Sequence, residues 1–252
     1  MTSEKYVRIS VCMAVCNGEK YLTDQISSIL SQLGDDDELV ITDDCSDDNS
    51  LGLILGICDE RIHLFRNAQR LGHVKNFEKV ISLAKGGYIF LSDQDDVWVE
   101  GRLSLFLAEL IQVDTPILAV GDFIEVDENL LPIATALNRM HLAGVKKRLF
   151  PISLDIILGR SKFYGCCFAF NRALVRYILP FPPNIEAHDM YIGLVSGLLG
   201  SIVAINKITL KRRIHGKNLT PLKRRGFYPI LISRYIYIKE LLSLFISNRL
   251  FK

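Results

Sequence analysis

Four short apolar runs, VRISVCMA, ELVIT, RIHLF and YIFLS, begin about 23 to 31 residues apart in the first hundred positions. The gaps leave room for a helix in most cases. Two of them hold helix-like segments, YLTDQISSILSQL and HVKNFEKVISLAKGG. The second places Val74, Phe77, Val80, Ile81 and Ala84 on one face before a glycine pair ends it. Near-continuous apolar strands alternating with amphipathic helices predict an α/β fold, a mostly parallel central sheet flanked by helices on both faces. In such sheets ligands bind beyond the carboxyl ends of the strands.

That edge is where the acidic residues fall. ELVITDDCSDDNS ends a strand in Asp43 and Asp44, and YIFLSDQDDVW ends one in Asp93, Asp95 and Asp96 with Trp98 just after. Carboxylates this close repel one another, and a bound divalent cation removes the repulsion. Mg²⁺ and Mn²⁺ favour a few carboxylates together with phosphate oxygens of a substrate. Competing readings exist for each cluster. Ser46, Asp47 and Asp48 are residue types that start helices, and Asp93 to Asp96 could form a solvated turn.

The second half is less regular. GRLSLFLAELIQ reads as a helix, PILAVGDFIEVDENLLP as a strand and turn, and residues 137–149 as a basic connection. FYGCCFAFNRALVRYILPFPPN gives a strand, a helix and a proline stop. EAHDMYIGLVSGLLG begins a helix with His188 and Asp189 in its first turn, where an acid either stabilises the helix end or does chemistry. ITLKRRIHGKNLT is a strand entering a basic turn with Arg213, His215 and Lys217, which either closes on an anion or is solvated. The tail, residues 221–252, mixes aromatics with Arg234, Lys239, Arg249 and Lys252. It is too charged to cross a bilayer and suits a helix lying on a membrane surface; a core or dimer-packing helix is the alternative.

Composition adds bounds. A chain of 252 residues holds a full core without disulfides. Its six cysteines show no CxxC spacing and read as small core thiols in a reducing cytosol. A formal net charge of +2 gives no general reason to expect nucleic acid. The N-terminal residues lack the plan of a signal peptide, and no run of about 20 uncharged apolar residues predicts a membrane span.

Taken in order, these segments resemble the inverting family 2 glycosyltransferases of GT-A fold, in particular the bacterial subgroup that builds O-antigen and capsular polysaccharides with rhamnose or glucose. ISVCMAVCNGEKYLTDQISSIL is similar to that family's opening strand, loop and helix, and VITDDCSDDNS to its nucleotide segment. LGHVKNFEKVISLAKGGYIFLSDQDDVW is similar to the stretch entering its DxD motif. FYGCCFAFNRALV, HDMYIG and RIHGKNLT resemble its acceptor half. The resemblance covers roughly residues 8 to 220 and implies a GT-A domain over 1–220, divided near residue 98 into nucleotide-sugar and acceptor halves, followed by the tail over 221–252.

The resemblance also implies the chemistry. A nucleotide-diphosphate sugar, UDP- or dTDP-linked, would be the donor, and a divalent metal, Mn²⁺ or Mg²⁺, would neutralise the departing diphosphate. Asp95, Asp93 and His215 are the implied metal set, with Asp93 on the ribose or behind the metal. Ala14, Cys16, Asn17, Asp43, Asp44, Asn67 and Asn76 fall where the family cradles the nucleotide. Here Val15 and Cys16 stand where Thr and Tyr are frequent. His188, Arg213 and His215 join the donor side, and Trp98 is either a sugar platform or core filler. Asp189 matches the catalytic base that takes the acceptor's proton, giving direct displacement with inversion. The implied acceptor is a glycan on undecaprenyl pyrophosphate, at the cytoplasmic face of the inner membrane, with a homodimer possible.

Two rivals remain at this level. YIFLSDQDDV approaches the hhhhDxDxV pattern of haloacid-dehalogenase-like phosphatases, and GDFIEVD could pass for their later acidic motif. In those enzymes the nucleophile usually follows the first strand, whereas three strands precede Asp93 here. The other rival is a non-catalytic module that binds nucleotide sugars and needs no carboxylate at Asp189.

Overall fold

The alternation of apolar runs and amphipathic segments folds as β1 (Ile9–Val15), α1 (Leu22–Leu30), β2 (Glu38–Asp43), α2 (Ser50–Leu55), β3 (Ile62–Arg66), α3 (His73–Leu83) and β4 (Tyr88–Ser92). Then come β5 (Val97–Trp98), α4 (Arg102–Leu110), β6 (Leu118–Val126), a 3-10 turn (Gly165–Cys167) and β7 (Phe168–Asn171). The chain continues through α5 (Arg172–Ile178), α6 (His188–Leu199), β8 (Ile202–Arg213) and α7 (Phe227–Ile246). This computed structural model describes residues 8–111, 113–133, 157, 163–216, 218 and 227–246. The basic connection over 137–149 and Lys217 lie outside the described residues.

The strands form one sheet in the order β3-β2-β1-β4-β7-β6-β8-β5. β1 runs parallel to β2 and β4, and β2 to β3, so the strand order reverses at β1. That reversal opens a crevice at the carboxyl ends of β1, β2 and β4, the place where such sheets bind ligands. Register lines up the acids: Val15 pairs with Asp43 and Met13 with Ser92, so the two acidic turns leave the sheet on either side of the residues after β1. Beyond β4 the sheet becomes mixed, with β7 antiparallel to both β4 and β6, while β6 and β8 run parallel.

Apolar periodicity explains most of this. β2 is buried at all six positions and β4 at four of five, as expected for strands covered on both faces. α3 turns Phe77, Val80 and Ile81 inward, each contributing roughly 1.5–3 kcal/mol by burial. Two expectations need correction. β3 is an edge strand with His63 and Phe65 exposed, since nothing pairs on its far side. β8 begins at Ile202, six residues before the ITLKRR run, because register shifts opposite Gly121–Phe123 carry the pairing through the polar Asn206 and Lys207.

The cysteines also divide. All six are free thiols; Cys12, Cys166 and Cys167 are buried, Cys16 and Cys45 are half-buried, and Cys58 is exposed rather than in the core. Among the described residues no helix is long and apolar enough to cross a membrane. α7 lies against the body, with Tyr237 and Leu241 in the core, while Ile232, Tyr235, Ile238 and Leu242 are exposed.

Candidate active site

The end of β2 is a polar lattice. Asp44 is buried, and its Oδ1 accepts the Leu71 N–H at 2.7 Å and Asn67 Nδ2 at 2.8 Å, while Oδ2 accepts the Gly72 N–H at 2.8 Å. Asn67 Nδ2 also donates to Asn76 Oδ1 at 2.9 Å, and Asn76 donates to the Thr42 carbonyl at 3.0 Å. Lys79 Nζ donates to Asn67 Oδ1 at 2.7 Å. Asp43 Oδ2 accepts the Ser46 N–H at 3.2 Å and lies 3.4 Å from Arg66 Nε; its other oxygen is buried without a partner among the described residues. Asp43, Asp44, Asn67 and Asn76 are thus one network that holds the loop over 67–72 against the sheet.

Asn17 and Cys16 join this network from β1. Asn17, with a positive φ of 53° that Asn tolerates, accepts the Asp47 N–H at 2.8 Å and donates its own N–H to Ser46 Oγ at 2.9 Å. Cys16 Sγ lies 3.8 Å from the Asp44 carbonyl, and the half-buried Ala14 precedes it within β1. None of Ser46, Asp47 and Asp48 is the cap of α2, a position that Asn49 takes without a side-chain bond, but Asp48 Oδ1 accepts the N–H of the first helical residue, Ser50, at 3.0 Å. Two residues here carry no sequence signal. Gln94 grips Cys16 on both sides, accepting its N–H at 2.8 Å and donating to its carbonyl at 3.0 Å. It ties the DQDD turn to β1, and a Cβ at Gly18 would collide with it at 2.6 Å. Arg70 sets a cation at the rim, bonded to the Cys45 carbonyl and to Asp47, each at 2.9 Å.

The three carboxylates after β4 diverge. Asp95 Oδ2 meets His215 Nε2 at 2.9 Å and Asn218 Nδ2 at 3.3 Å, with the His215 ring packed on Tyr21 at 4.8 Å. Asp96 points inward: it accepts the Arg213 N–H at 3.0 Å, and its Oδ2 is buried without a partner among the described residues. Burial, then the charges of Asp95 and Asp93, push its carboxyl well above the usual range. Asp93 is pushed up to about 7, by burial first and Asp95 second, opposed by Arg212. Loss of a proton from these groups is therefore costly until a positive charge arrives.

Asp189 opens α6, where Oδ1 accepts the Met190 N–H at 2.7 Å. Burial raises its carboxyl to about 6, opposed by N–H bonds from Met190 and Gly165 and by the Arg212 charge. The Asp189 charge adds to the rise at Asp93, and the Asp189 carboxylate accepts the Gly165 N–H, so the start of α6 meets the 3-10 turn near the acids after β4.

Three residues expected on the donor side are elsewhere. His188 is buried with its ring stacked on Phe77 at 4.0 Å, and both ring nitrogens lack partners among the described residues. Burial lowers its pKa to about 3, so it is a neutral packing residue, and Gly165 exists to make room for it: a Cβ there would lie 2.6 Å from Nε2. Trp98 is core filler, 4% exposed against Phe90 and under the buried Arg102 guanidinium at 4.8 Å. Arg213 is a clasp rather than a diphosphate ligand. Its Nε, Nη1 and Nη2 are taken by the Asp95 carbonyl, the Glu128 carbonyl and Asp24, at 3.0, 2.6 and 3.0 Å. Its neighbour Arg212, missed because strand alternation is invisible in KRR, pairs with Glu125 at 3.2 Å, lies with its guanidinium 4.4 Å over the Tyr164 ring, and acts on Asp93 and Asp96 through its charge.

Residues 10–179, more than half of the chain, match the profile of Glycosyl transferase family 2. The chain belongs to glycosyl transferase family 2. Among relatives in this family, the Escherichia coli protein WfgD, a UDP-Glc:alpha-D-GlcNAc-diphosphoundecaprenol beta-1,3-glucosyltransferase, is 30% identical over 104 residues, 41% of this chain and 41% of that one. The dTDP-rhamnosyl transferase RfbG of Shigella flexneri is 34% identical over 102 residues, 36% of this chain and 34% of that one. The chain thus matches under half the length of these relatives. A crystal structure of S. aureus TarS 1-349 in complex with UDP-GlcNAc superposes with a TM-score of 0.65 at 18% identity, covering 92% of this chain and 66% of that one, so the fold is GT-A.

GT-A glycosyltransferases typically use a divalent metal, and the donor set here fits one. Oxygen or sulfur atoms of Asp93, Asp96 and Cys166 lie within 4.8 Å of one another, and the partnerless Asp96 oxygen leaves that group short of positive charge. The hydrogen bond with Cys167, then burial, hold the Cys166 thiol protonated, which favours a hard cation on the carboxylate side.

Proposed function

We propose that this chain transfers a sugar from a nucleotide-diphosphate donor, UDP- or dTDP-linked, to a glycan hydroxyl, with inversion. The observation that carries the reading is Asp189: a buried carboxyl in the first turn of α6, bonded by the Met190 and Gly165 N–H groups, raised by burial to about 6 and within the field of Arg212. Asp44, Asn67 and Asn76 shape the loop that would receive the base and ribose, with Cys16, Asn17 and Asp43 at its floor. Asp93 and Asp96 would hold Mn²⁺ or Mg²⁺, with the paired Asp95 and His215 the ligands expected from the sequence, and that ion would supply positive charge to the leaving diphosphate. Arg212 keeps Asp93 and Asp189 from rising further and adds fixed positive charge where the bond breaks. Asp189 would accept the acceptor's hydroxyl proton as the new bond forms, on the face opposite the diphosphate.

A lipid-linked acceptor, on undecaprenyl pyrophosphate at the cytoplasmic face of the inner membrane, is supported by the relative WfgD and by the exposed apolar stripe of α7. The same stripe would serve a homodimer. A phosphatase reading is weakened because Asp93 follows the fourth strand of the chain and not the first. The test is a panel of nucleotide sugars with Mn²⁺ and a lipid-pyrophosphate acceptor mimic. Transfer with inverted configuration is expected. Donor binding without turnover across the panel would favour the non-catalytic module, and a product of retained configuration would overturn the mechanism.

A further inference from the structure

Tyr237 belongs to the tail helix α7, is 1% exposed, and sits 50 residues from the peptide it holds. Its hydroxyl donates to the Ala187 carbonyl at 3.1 Å and accepts the Ala187 N–H at 3.2 Å. Ala187 is the residue before α6, in extended conformation (φ −145°, ψ 122°), with no side chain able to cap the helix. The helix's own first bond, from the Tyr191 N–H to the Ala187 carbonyl, is long at 3.4 Å. One phenol thus grips both polar groups of the residue that enters α6, beside the Gly165 N–H bond to Asp189 and the His73 bond to the Glu186 backbone. Asp189 is two residues beyond Ala187.

We propose that Tyr237 is a positioning residue for Asp189, so that the tail helix is part of the catalytic unit. This rests on Asp189 being the base. Burial pushes the phenol's pKa up, with the Asp189 charge adding to it, so the hydroxyl keeps its proton and its double role through the physiological range. The charged and titratable groups around the pair are Arg212 of β8, Asp93 beyond β4, and Glu186 and Arg234 beside the phenol. With the phenol's grip gone, the first turn of α6 would open and water would reach Asp189, lowering its pKa toward the ordinary carboxylate value.

Tyr237→Phe keeps the packed ring and removes the hydroxyl. The Asp189 carboxyl can be followed by ¹³C NMR, its signal assigned by its loss in Asp189→Asn. The midpoint is expected near pH 6 in the parent protein and about one unit lower in Tyr237→Phe. Amide exchange at Ala187 and Met190 should rise about tenfold, the worth of one buried hydrogen bond, while exchange at Met13 in β1 and binding of UDP with Mn²⁺ stay unchanged. An unmoved midpoint, or equal acceleration at Met13, would overturn the proposal by reducing Tyr237 to a packing residue. If Asp189→Asn keeps its transfer rate while Tyr237→Phe still shifts the titration, the base assignment fails and the positional contact stands.

Discussion

Asp95 Oδ2 lies 2.9 Å from His215 Nε2, across 120 residues of chain, and this contact joins the acidic turn after β4 to the basic turn after β8. A carboxylate and an imidazole are both ligand types that Mn²⁺ accepts, and a bound ion would have to replace the bond between them. Asp95→Ala should abolish transfer and weaken metal-dependent nucleotide binding, with the melting temperature little changed because Asp95 is not part of the core. His215→Ala should weaken the same binding less. Isothermal titration with UDP, with and without Mn²⁺, measures both, and full turnover in EDTA would rule out a required metal.

Asp189→Asn keeps the shape of the side chain and removes the base. The rate should fall by roughly 10²–10⁴-fold with donor affinity near normal. A helix-terminal acid with no chemical part would keep its rate.

The same carboxyl sets a pH dependence. A base must be deprotonated, so kcat should rise through about pH 6 and flatten above it. Stability runs the other way. The folded state holds the Asp189 proton to a higher pH than the unfolded chain, so this group's contribution falls as pH climbs from about 4 to 6. Asp189→Asn should therefore melt at the same temperature or slightly higher than the parent at pH 8, with no such gain at pH 4. A melting temperature several degrees lower at pH 8 would contradict the raised pKa.

Arg213 should behave as structure and Arg212 as site. Arg213→Ala removes three hydrogen bonds from a buried guanidinium and should cost about 2–3 kcal/mol, roughly 4–12 °C in Tm. Arg212→Gln should instead raise the midpoint of the kcat profile, because its positive charge lowers the pKa of Asp189. Thermal melts and pH–rate curves of the two variants separate these roles.

The outer and inner faces of α7 should separate in the same way. Glutamate at Ile232, Tyr235 and Leu242 together should release the protein from vesicles containing anionic lipid without lowering Tm, since all three side chains are exposed. Leu241→Glu should destabilise it, because that side chain is in the core. Unchanged vesicle binding by the triple variant would leave the stripe to a dimer contact.

Much of this protein is decided locally. Apolar runs of five to eight residues with helix-length gaps allow little besides an α/β sheet, and acids after a buried strand mark its carboxyl end, where loop N–H groups and cations can satisfy them. Asp43, Asp44, Asp93 and Asp95 were legible for that reason, and so was Asp189 at a helix start. What each side chain touches was decided only by the tertiary structure. His188, next to Asp189, leaves the same helix about 100° around its axis and packs on Phe77. Of two adjacent arginines on β8, Arg213 goes into a clasp and Arg212 pairs with Glu125, since neighbouring residues on a strand leave on opposite sides. Gln94 looks like a spacer in the sequence and becomes a link to β1 because the β1–β4 register brings Cys16 within its reach. Contacts over 50 to 120 residues, such as Tyr237 to Ala187 and His215 to Asp95, have no local periodicity to announce them; they exist because the sheet order places distant ends side by side.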